Sequence, residues 1–187
     1  MTLQVDQHEL DRACLLLLTV KDGARKVTAR AINRTLSGVK TDASAEIRKE
    51  ITATKKYVDR TFSIQKASTV RLQGAVTSKG KPLPLVAFST RQTKKGVSVQ
   101  VKKGRPRKVI PHTFQATMKS GHKGVFWREK KGGKMVGRLP IQELYSSRVP
   151  DIFSNDSVMR PVIAKAQDRM SKNLSHEIDY ELLRPKK

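Results

Sequence analysis

The spacing of apolar residues divides the chain into helical ends and a strand-rich middle. Apolar residues recur every three or four positions over residues 8–20 and 24–36, and again over about 42–62, which predicts three helices. Gly38 stands where the second of these would end, a position that glycine commonly occupies. The same spacing predicts a last amphipathic helix over residues 151–183.

The middle of the chain has a different period. Apolar and polar residues alternate over 70–76 and most regularly over 97–101, and a short apolar run occupies 83–88. Turns rich in Gly, Pro and Lys separate these segments. Strands joined by such short turns pair antiparallel, so we expect an antiparallel sheet over residues 68–138.

A β-hairpin is predicted near the centre of this sheet. Two short apolar segments, 113–118 and 125–128, flank the turn 120–124, where Gly121 and Gly124 supply the conformations that other residues avoid. The side chains expected to face the core are Phe114, Ala116, Met118, Val125 and Trp127.

The predicted fold class is α+β, with N-terminal helices, a central antiparallel β-sheet with basic loops, and a C-terminal amphipathic helix. We expect a single domain over residues 1–187. Its parts would be as follows: 1–66 mainly helical, 68–138 antiparallel sheet, 139–150 irregular, 151–183 C-terminal helix and 184–187 frayed tail.

Charge is concentrated in the predicted sheet. The formal net charge is +23, from 39 basic and 16 acidic side chains. Residues 61–138 contain 19 of the basic side chains and one acidic one, Glu129. A field of one sign favours nucleic acid or an acidic protein surface as the partner.

Most basic residues of this region fall at predicted strand ends and would project together at the ends of the sheet. They are suited to neutralising phosphates, and the scarcity of aromatic residues among them gives no indication of sequence-specific recognition. The candidate DNA- or partner-contacting residues are Lys94, Lys95, Lys102, Lys103, Arg105, Arg107, Lys108, Lys119, Lys123, Lys130, Lys131 and Lys134.

No catalytic, cofactor-binding or metal-binding pattern is found. The four histidines have no neighbours at metal-ligand spacing, and no glycine-rich segment has the phosphate-loop pattern. Acidic residues are nearly absent from the sheet region, so paired carboxylates for hydrolysis are not expected. A single cysteine, Cys14, excludes an internal disulfide. We expect a protein without enzymatic activity, metal or cofactor, made in a reducing cytoplasm and not inserted in a membrane.

Five short motifs, taken in order, carry a family resemblance. They are Ala-Arg-Ala-Ile-Asn-Arg-Thr (29–35), Pro-Leu-Pro-Leu-Val-Ala-Phe (82–88), Ile-Pro-His-Thr-Phe (110–114), Gly-His-Lys-Gly-Val-Phe-Trp-Arg (121–128) and Leu-Pro-Ile-Gln-Glu-Leu-Tyr (139–145), the last followed by Val149-Pro150. In this order the motifs resemble the minor tail protein Z (tail-completion) family of lambda-like tailed phages and prophages. Relatives often have Gly-Ala where this chain has His112-Thr113.

The resemblance implies a structural virion protein, with no enzymatic role, at the head-proximal end of the tail. It implies a homo-oligomeric, hexameric ring around the path of the DNA that supports head–tail joining and DNA passage. The partners implied are further copies of the chain, tail terminator or tube proteins, head-completion or connector proteins, and non-specific genomic DNA. Assembly would occur in the host cytoplasm. The alternative is a free-standing nucleic-acid-binding protein without sequence specificity, since the charge pattern alone fits both.

Overall fold

The computed structural model describes residues 23–128, 130–131, 134–135 and 140–183, and for 130–131, 134–135 and Leu182 the backbone alone. The predicted helix at 8–20 and the predicted frayed tail at 184–187 lie outside these residues. The predicted α+β class is confirmed: helices flank a series of antiparallel strands. Within the described ranges, no helix has the length and apolar character needed to cross a membrane.

Four helices and ten strands form the described part of the chain. The helices are α1 (Gly23–Glu50), α2 (Lys55–Asp59), α3 (Val149–Phe153) and α4 (Asp156–Leu183). The strands are β1 (Phe62–Gln65), β2 (Ala75–Ser78), β3 (Ser89–Thr93), β4 (Gly96–Gln100), β5 (Lys108–Pro111), β6 (Thr113–Thr117), β7 (Lys123–Arg128), β8 (Lys130–Lys131), β9 (Lys134–Met135) and β10 (Ile141–Glu143). A 3-10 turn, Leu85–Ala87, precedes β3.

The chain divides into two compact units. The described residues of the first, here called the helical unit, are 23–46, 62–79 and 153–183. The second, the sheet unit, comprises the described residues of 47–61 and 80–152. That the whole chain is a single domain stays a prediction.

The helical unit is built on α1 and α4, which pair antiparallel through ion pairs in constant register. Going from one pair to the next, the position on α1 rises by four or eight residues and the position on α4 falls by the same number. The pairs are Arg30–Glu181 at 2.9 Å, Arg34–Glu177 at 2.7 Å, Asp42–Arg169 at 2.7 Å and Glu46–Lys165 at 2.6 Å. The hydrogen bond from Lys165 to Glu46 raises the pKa of that lysine. Beneath these pairs lies an apolar layer that includes Val27, Ala31, Val39, Val162, Ala166 and Leu174.

The prediction that a helix ends at Gly38 is wrong, because α1 continues to Glu50. A Cβ at Gly38 would lie 2.4 Å from Cδ of Arg169. The glycine is therefore a packing position: it leaves room for the Arg169 side chain to cross α1 and reach Asp42. Asp42, the first residue of the predicted third helix, instead lies inside α1 as the partner of this arginine.

The predicted continuation of helix to about residue 62 is also wrong. Residues 51–54 are extended, and strand segments satisfy their backbone groups: the Thr52 amide donates to Val101 O at 2.9 Å and the Thr54 amide donates to Ala87 O at 2.9 Å. Ile51 forms a β-bridge with Lys102. The β-branched residues here favour extended backbone, and only the five residues of α2 are helical before β1 begins at Phe62.

The predicted strand at 70–76 is largely a loop, since β2 begins at Ala75. The side chain of Asn33 on α1 binds the backbone of Ala67, between β1 and β2. Its Nδ2 donates to Ala67 O at 3.0 Å, and the Ala67 amide donates to its Oδ1 at 2.8 Å. With this backbone occupied, the chain turns outward and Val70 is 88 % exposed. The alternation of residue types alone did not reveal this side-chain clamp.

Two three-stranded sheets and a short hairpin make up the strands of the sheet unit. Their orders are β3-β4-β5, β10-β7-β6 and, for the hairpin, β8-β9, all antiparallel. Buried Thr113 joins the two larger sheets, because its Oγ1 accepts from the Val97 amide at 2.9 Å and donates to Ile110 O at 2.7 Å. Just before it, His112 has φ 60°, a left-handed conformation that favours glycine.

The predicted hairpin is present as β6 and β7, but its predicted inward face is wrong. The register places Phe114 opposite Phe126 and Thr113 opposite Trp127. Phe114, Ala116 and Phe126 therefore share one face, and Val125 and Trp127 lie on the other. The Met118 amide donates to His122 O at 2.8 Å, so the turn comprises residues 118–122 rather than 120–124.

Burial follows this register. Val125 is fully buried and Phe126 is 5 % exposed, because β7 is the middle strand of its sheet and is covered on both faces. Trp127, expected in the core, is 37 % exposed. On the Phe126 face, Phe114 lies 6.1 Å from the Phe126 ring and the Arg128 guanidinium lies 4.8 Å from the Phe114 ring.

Candidate functional site: the basic turns of the sheet unit

Two exposed lysines form the turn between β3 and β4. Lys94 and Lys95 lie between the paired residues Thr93 and Gly96, which makes this a two-residue hairpin turn. Gly96 has φ 153°, and a Cβ there would lie 2.0 Å from Ile110 O, so only glycine fits. The close approach of Gly96 to Ile110 O and a hydrogen bond from the His112 amide to Lys95 O at 3.2 Å hold the turn close to the end of β5.

A second basic turn, residues 102–105, joins β4 to β5 and is anchored from several sides. We call it the anchored turn; it contains the exposed cations Lys102, Lys103 and Arg105. The backbone of Lys102 forms a β-bridge with that of Ile51, and the Lys103 amide donates to Glu50 O at 2.8 Å. Gln100 Nε2 donates to Arg105 O at 2.9 Å. Gly104, with φ 77°, allows the reversal between these anchors.

Arg107 is exposed like its neighbours, but it differs from them because its guanidinium is hydrogen-bonded to other residues of the protein. Its Nε and Nη2 donate to Ser98 Oγ at 3.1 Å and to Ser98 O at 3.2 Å. Its Nη1 and Nη2 also donate to Ser89 Oγ at 2.9 Å and to Ser89 O at 3.0 Å. A guanidinium has five N–H donors. Four hydrogen bonds within the protein therefore leave Arg107 with little capacity for a phosphate.

The remaining predicted residues lie elsewhere. Lys108 is exposed on β5, and Lys119 is exposed in the hairpin turn. Lys123 lines a shallow cavity of about 270 Å³ together with Val86, Gln115 and Thr117. Lys130, Lys131 and Lys134 belong to β8 and β9, but their side chains lie outside the described part of the structure.

The structure therefore separates the candidate residues into distinct groups. Because β4 runs from one turn to the other, the lysine turn 94–95 and the anchored turn lie at opposite ends of the sheet β3-β4-β5. In the described part of the chain, none of the cations in these two turns forms a salt bridge. This contrasts with Arg30 and Arg34 on α1, which pair with glutamates of α4.

A cluster that the sequence did not indicate lies on the Phe126 face of the other large sheet. His122 Nε2 is 2.9 Å from Glu143 Oε1, and Tyr145 Oη donates to Glu143 Oε2 at 2.9 Å. The hydrogen bond to Glu143, then partial burial and the negative charge of that carboxylate, raise the pKa of Tyr145. A Cβ at Gly124 would lie 2.8 Å from Glu143 Oε1, so the glycine makes room for the carboxylate.

The cluster does not have the composition of a metal site. Over the described ranges, no three His, Cys, Asp or Glu side chains are grouped so that they could hold a metal ion. Its three members come from the hairpin turn, the edge strand β10 and the segment after it, and their mutual bonds fix these parts of the sheet to one another. We interpret the cluster as structural.

Comparison with known proteins gives one family. A family model described as prophage minor tail protein Z matches residues 9–186, nearly the whole chain, which confirms the resemblance carried by the five motifs. No curated protein and no solved structure matches.

Proposed function

Because the chain belongs to the prophage minor tail protein Z family, we propose that it completes the tail at its head-proximal end. Membership of the family makes it a structural protein of the tail of a phage or prophage. In the proposal, copies of the chain form a hexameric ring around the path of the DNA. The ring supports joining of the tail to the DNA-filled head and passage of the DNA through the neck.

The separation of charge between the two units supports this proposal. Residues 47–61 and 80–152, which make up the sheet unit, contain 22 basic and 5 acidic side chains, an excess of 17 out of the total of +23. The helical unit uses several of its charges in ion pairs between α1 and α4. A positively charged region of this kind attracts a polyanion such as DNA and raises its local concentration at the subunit.

The proposed partners follow from this position. They are further copies of the chain, a tail terminator or tube protein on one side of the ring, and a head-completion or connector protein on the other. Genomic DNA is contacted without sequence preference. The protein acts as a scaffold rather than as an enzyme, and it assembles in the host cytoplasm before it becomes part of the virion.

A free-standing nucleic-acid-binding protein is the second candidate, and the same charge excess favours it. The two candidates differ in where the protein is found. A tail-completion protein co-purifies with tails, and its deletion yields tails that do not form infectious particles. A free-standing protein remains in the soluble fraction.

The experiment is deletion of the coding sequence followed by complementation from a plasmid. We expect tails that lack the protein to join heads poorly or to fail in DNA delivery, and complementation to restore infectious particles. Electron microscopy of purified tails with a labelled copy tests the head-proximal position. Light scattering on the purified protein should detect weak self-association, since the ring is expected to close only on the tail. Absence of the protein from purified tails would contradict the proposal.

A further inference from the structure

We infer that the anchored turn, residues 102–105, is a preformed contact for the phosphate backbone of double-stranded DNA. The inference rests on the proposed function, because it names the surface that meets the DNA. It also separates the true contact residues from Arg107, which sequence alone places in the same cluster. The observations that carry it are three exposed cations, the absence of an acidic partner for them in the described part of the chain, and a backbone held in place before any ligand binds.

The exposed cations are available for a ligand. Lys102, Lys103 and Arg105 are all exposed, and no acidic side chain of the described residues pairs with them. Elsewhere in the same chain, cations that lie near carboxylates are paired, as Arg169 is with Asp42 and Lys165 is with Glu46. A phosphate group can therefore approach these three charges without first displacing an intramolecular carboxylate.

The backbone of the turn is already ordered. The Ile51 bridge, the bond from the Lys103 amide to Glu50 O and the bond from Gln100 to Arg105 O hold its two sides. Arg107 then fixes the strand that leaves the turn to Ser89 and Ser98. A loop that must become ordered on binding loses conformational entropy, whereas a loop ordered in advance avoids that cost. We therefore assign Arg107 a positioning role and not a phosphate contact.

The composition of the turn favours a duplex over a single strand. Proteins that bind single strands stack successive bases on aromatic side chains. Residues 101–108 contain no aromatic residue. Lysine and arginine without stacking partners bind the phosphate backbone of either form, and the duplex has the higher density of charge, about one per 1.7 Å of its axis.

The composition also favours DNA over an acidic protein. Protein interfaces are built around a buried apolar or aromatic centre, and charged residues are depleted there. Val109, on β5 and four positions after Arg105, is exposed at 44 %, while residues 102–105 themselves are three cations and a glycine. Val109 offers an acidic protein partner an apolar contact on this strand, whereas phosphates gain nothing from it. This difference supplies a test.

The lysine turn 94–95 is too distant to share a phosphate with the anchored turn. Lys95 precedes β4 and Lys102 follows it, seven positions later in the chain. Seven residues of extended chain span roughly 23 Å at about 3.3 Å per residue. A duplex carries about 13 phosphates over that length. The two turns should therefore contribute independently, and removing the charges of one should leave the contribution of the other unchanged.

The test measures DNA affinity of the full-length protein by fluorescence anisotropy over a range of salt concentrations. The probe is a short labelled duplex of mixed sequence. The variant is K102E/K103E/R105E, and the matched control is K66E/R71E/K79E. The control removes three exposed cations of the helical unit and changes the net charge equally. Circular dichroism and thermal unfolding first establish that both variants are folded.

We expect the turn variant to bind more weakly by on the order of tenfold for each phosphate that it no longer neutralises near 0.1 M salt, and its slope of log K against log salt to fall by about 0.9 per phosphate. The control should keep most of the affinity and nearly the same slope. V109S should bind the duplex as the unmodified protein does. The lysine-turn variant K94E/K95E should weaken binding by a similar factor per phosphate, and its effect should add to that of the turn variant.

Three results would overturn the inference: equal losses of affinity in the turn variant and the matched control, equally tight binding of polyglutamate and duplex at matched charge, or a large loss of affinity from V109S. Equally tight binding of polyglutamate would indicate an acidic protein partner, and a large loss from V109S would show that an apolar contact, rather than phosphate neutralisation, carries the binding. Failure of this inference is distinguishable from failure of the proposed function, because incorporation of the K102E/K103E/R105E protein into tails is scored separately. If the K102E/K103E/R105E protein binds DNA as tightly as the unmodified protein and enters tails normally, the inferred DNA contact is wrong and the proposed tail role stands.

Discussion

At the scale of single residues, Arg107 shows how one side chain of a basic cluster can serve the fold. Its guanidinium links Ser89 on β3 to Ser98 on β4, and Ser98 is buried. We expect Arg107→Met to lower the free energy of unfolding by about 1–3 kcal/mol, because the hydroxyl and carbonyl of buried Ser98 lose a charged donor. Urea denaturation measures this. Arg105→Met is the matched control: among the described residues its guanidinium forms no hydrogen bond or ion pair, so a change within about 0.5 kcal/mol is expected. Equal effects of the two substitutions would contradict the assignment.

Neighbouring residues on β7 provide a second comparison at this scale. Phe126 is 5 % exposed and Trp127 is 37 % exposed. Truncation of a buried phenylalanine costs about 3–5 kcal/mol, so Phe126→Ala should lower the melting temperature strongly. Trp127→Ala should lower it less, although tryptophan is the larger side chain. Thermal unfolding followed by circular dichroism decides the order, and a greater decrease for Trp127→Ala would restore the inward face predicted from the sequence.

The hairpin also shows what alternation along a strand leaves open. The residue types predicted the positions of β6 and β7, because β-branched and aromatic residues flank a glycine-containing turn. They did not predict which residues face each other. A shift in register by one residue moves every side chain to the opposite face, and the turn sets the register. Here the turn closes at Met118 and His122, earlier than predicted, which places Trp127 opposite Thr113.

At the scale of elements, Gly38 tests the packing of α1 against α4. Replacing a helical glycine by alanine usually stabilises a helix by about 1 kcal/mol. At Gly38 the new Cβ would occupy the place of the Arg169 side chain and separate it from Asp42. We therefore expect Gly38→Ala to be neutral or destabilising in the unmodified protein. In an Arg169→Ala background the same change should stabilise by about 1 kcal/mol.

A double-mutant cycle measured by urea denaturation checks this expectation. Its control is Ser37→Ala, at an exposed position of the same helix turn, which should have the same effect with and without Arg169. If Gly38→Ala has equal effects in both backgrounds, the glycine is not explained by packing. Sequence alone could not separate the two roles of glycine, because a helix stop and a helix crossing use the same residue for different reasons.

The candidate site was predictable only in part, and the reason is the range of the contacts. The glycine, proline and lysine content of 102–108 predicted a basic loop, and a loop is found there. The anchors of that loop come from Glu50 and Ile51, about fifty positions earlier in the chain, where the sequence predicted a continuing helix. The partners of Arg107 are two serines that have no distinctive local pattern. Local periodicity cannot predict contacts of this kind.

At the scale of the whole molecule, the unequal charges of the two units predict opposite responses to salt. The excess of 17 positive charges in the residues of the sheet unit favours its unfolding through repulsion. The helical unit is held partly by ion pairs between α1 and α4, which contribute less when screened. Raising the salt concentration shortens the Debye length from about 30 Å at 0.01 M to about 10 Å at 0.1 M and weakens both effects.

Hydrogen exchange at low and moderate salt measures this for each unit by itself. We expect amides of β4 and β7 to become more protected as salt rises, since repulsion within the sheet unit is screened. Amides of α1 between residues 30 and 46, and of α4 opposite them, should become slightly less protected. Sodium chloride and sodium fluoride are compared so that specific binding of an anion is separated from screening. If amides of β4 and β7 do not become more protected as salt rises, repulsion among the excess positive charges does not limit the stability of the sheet unit.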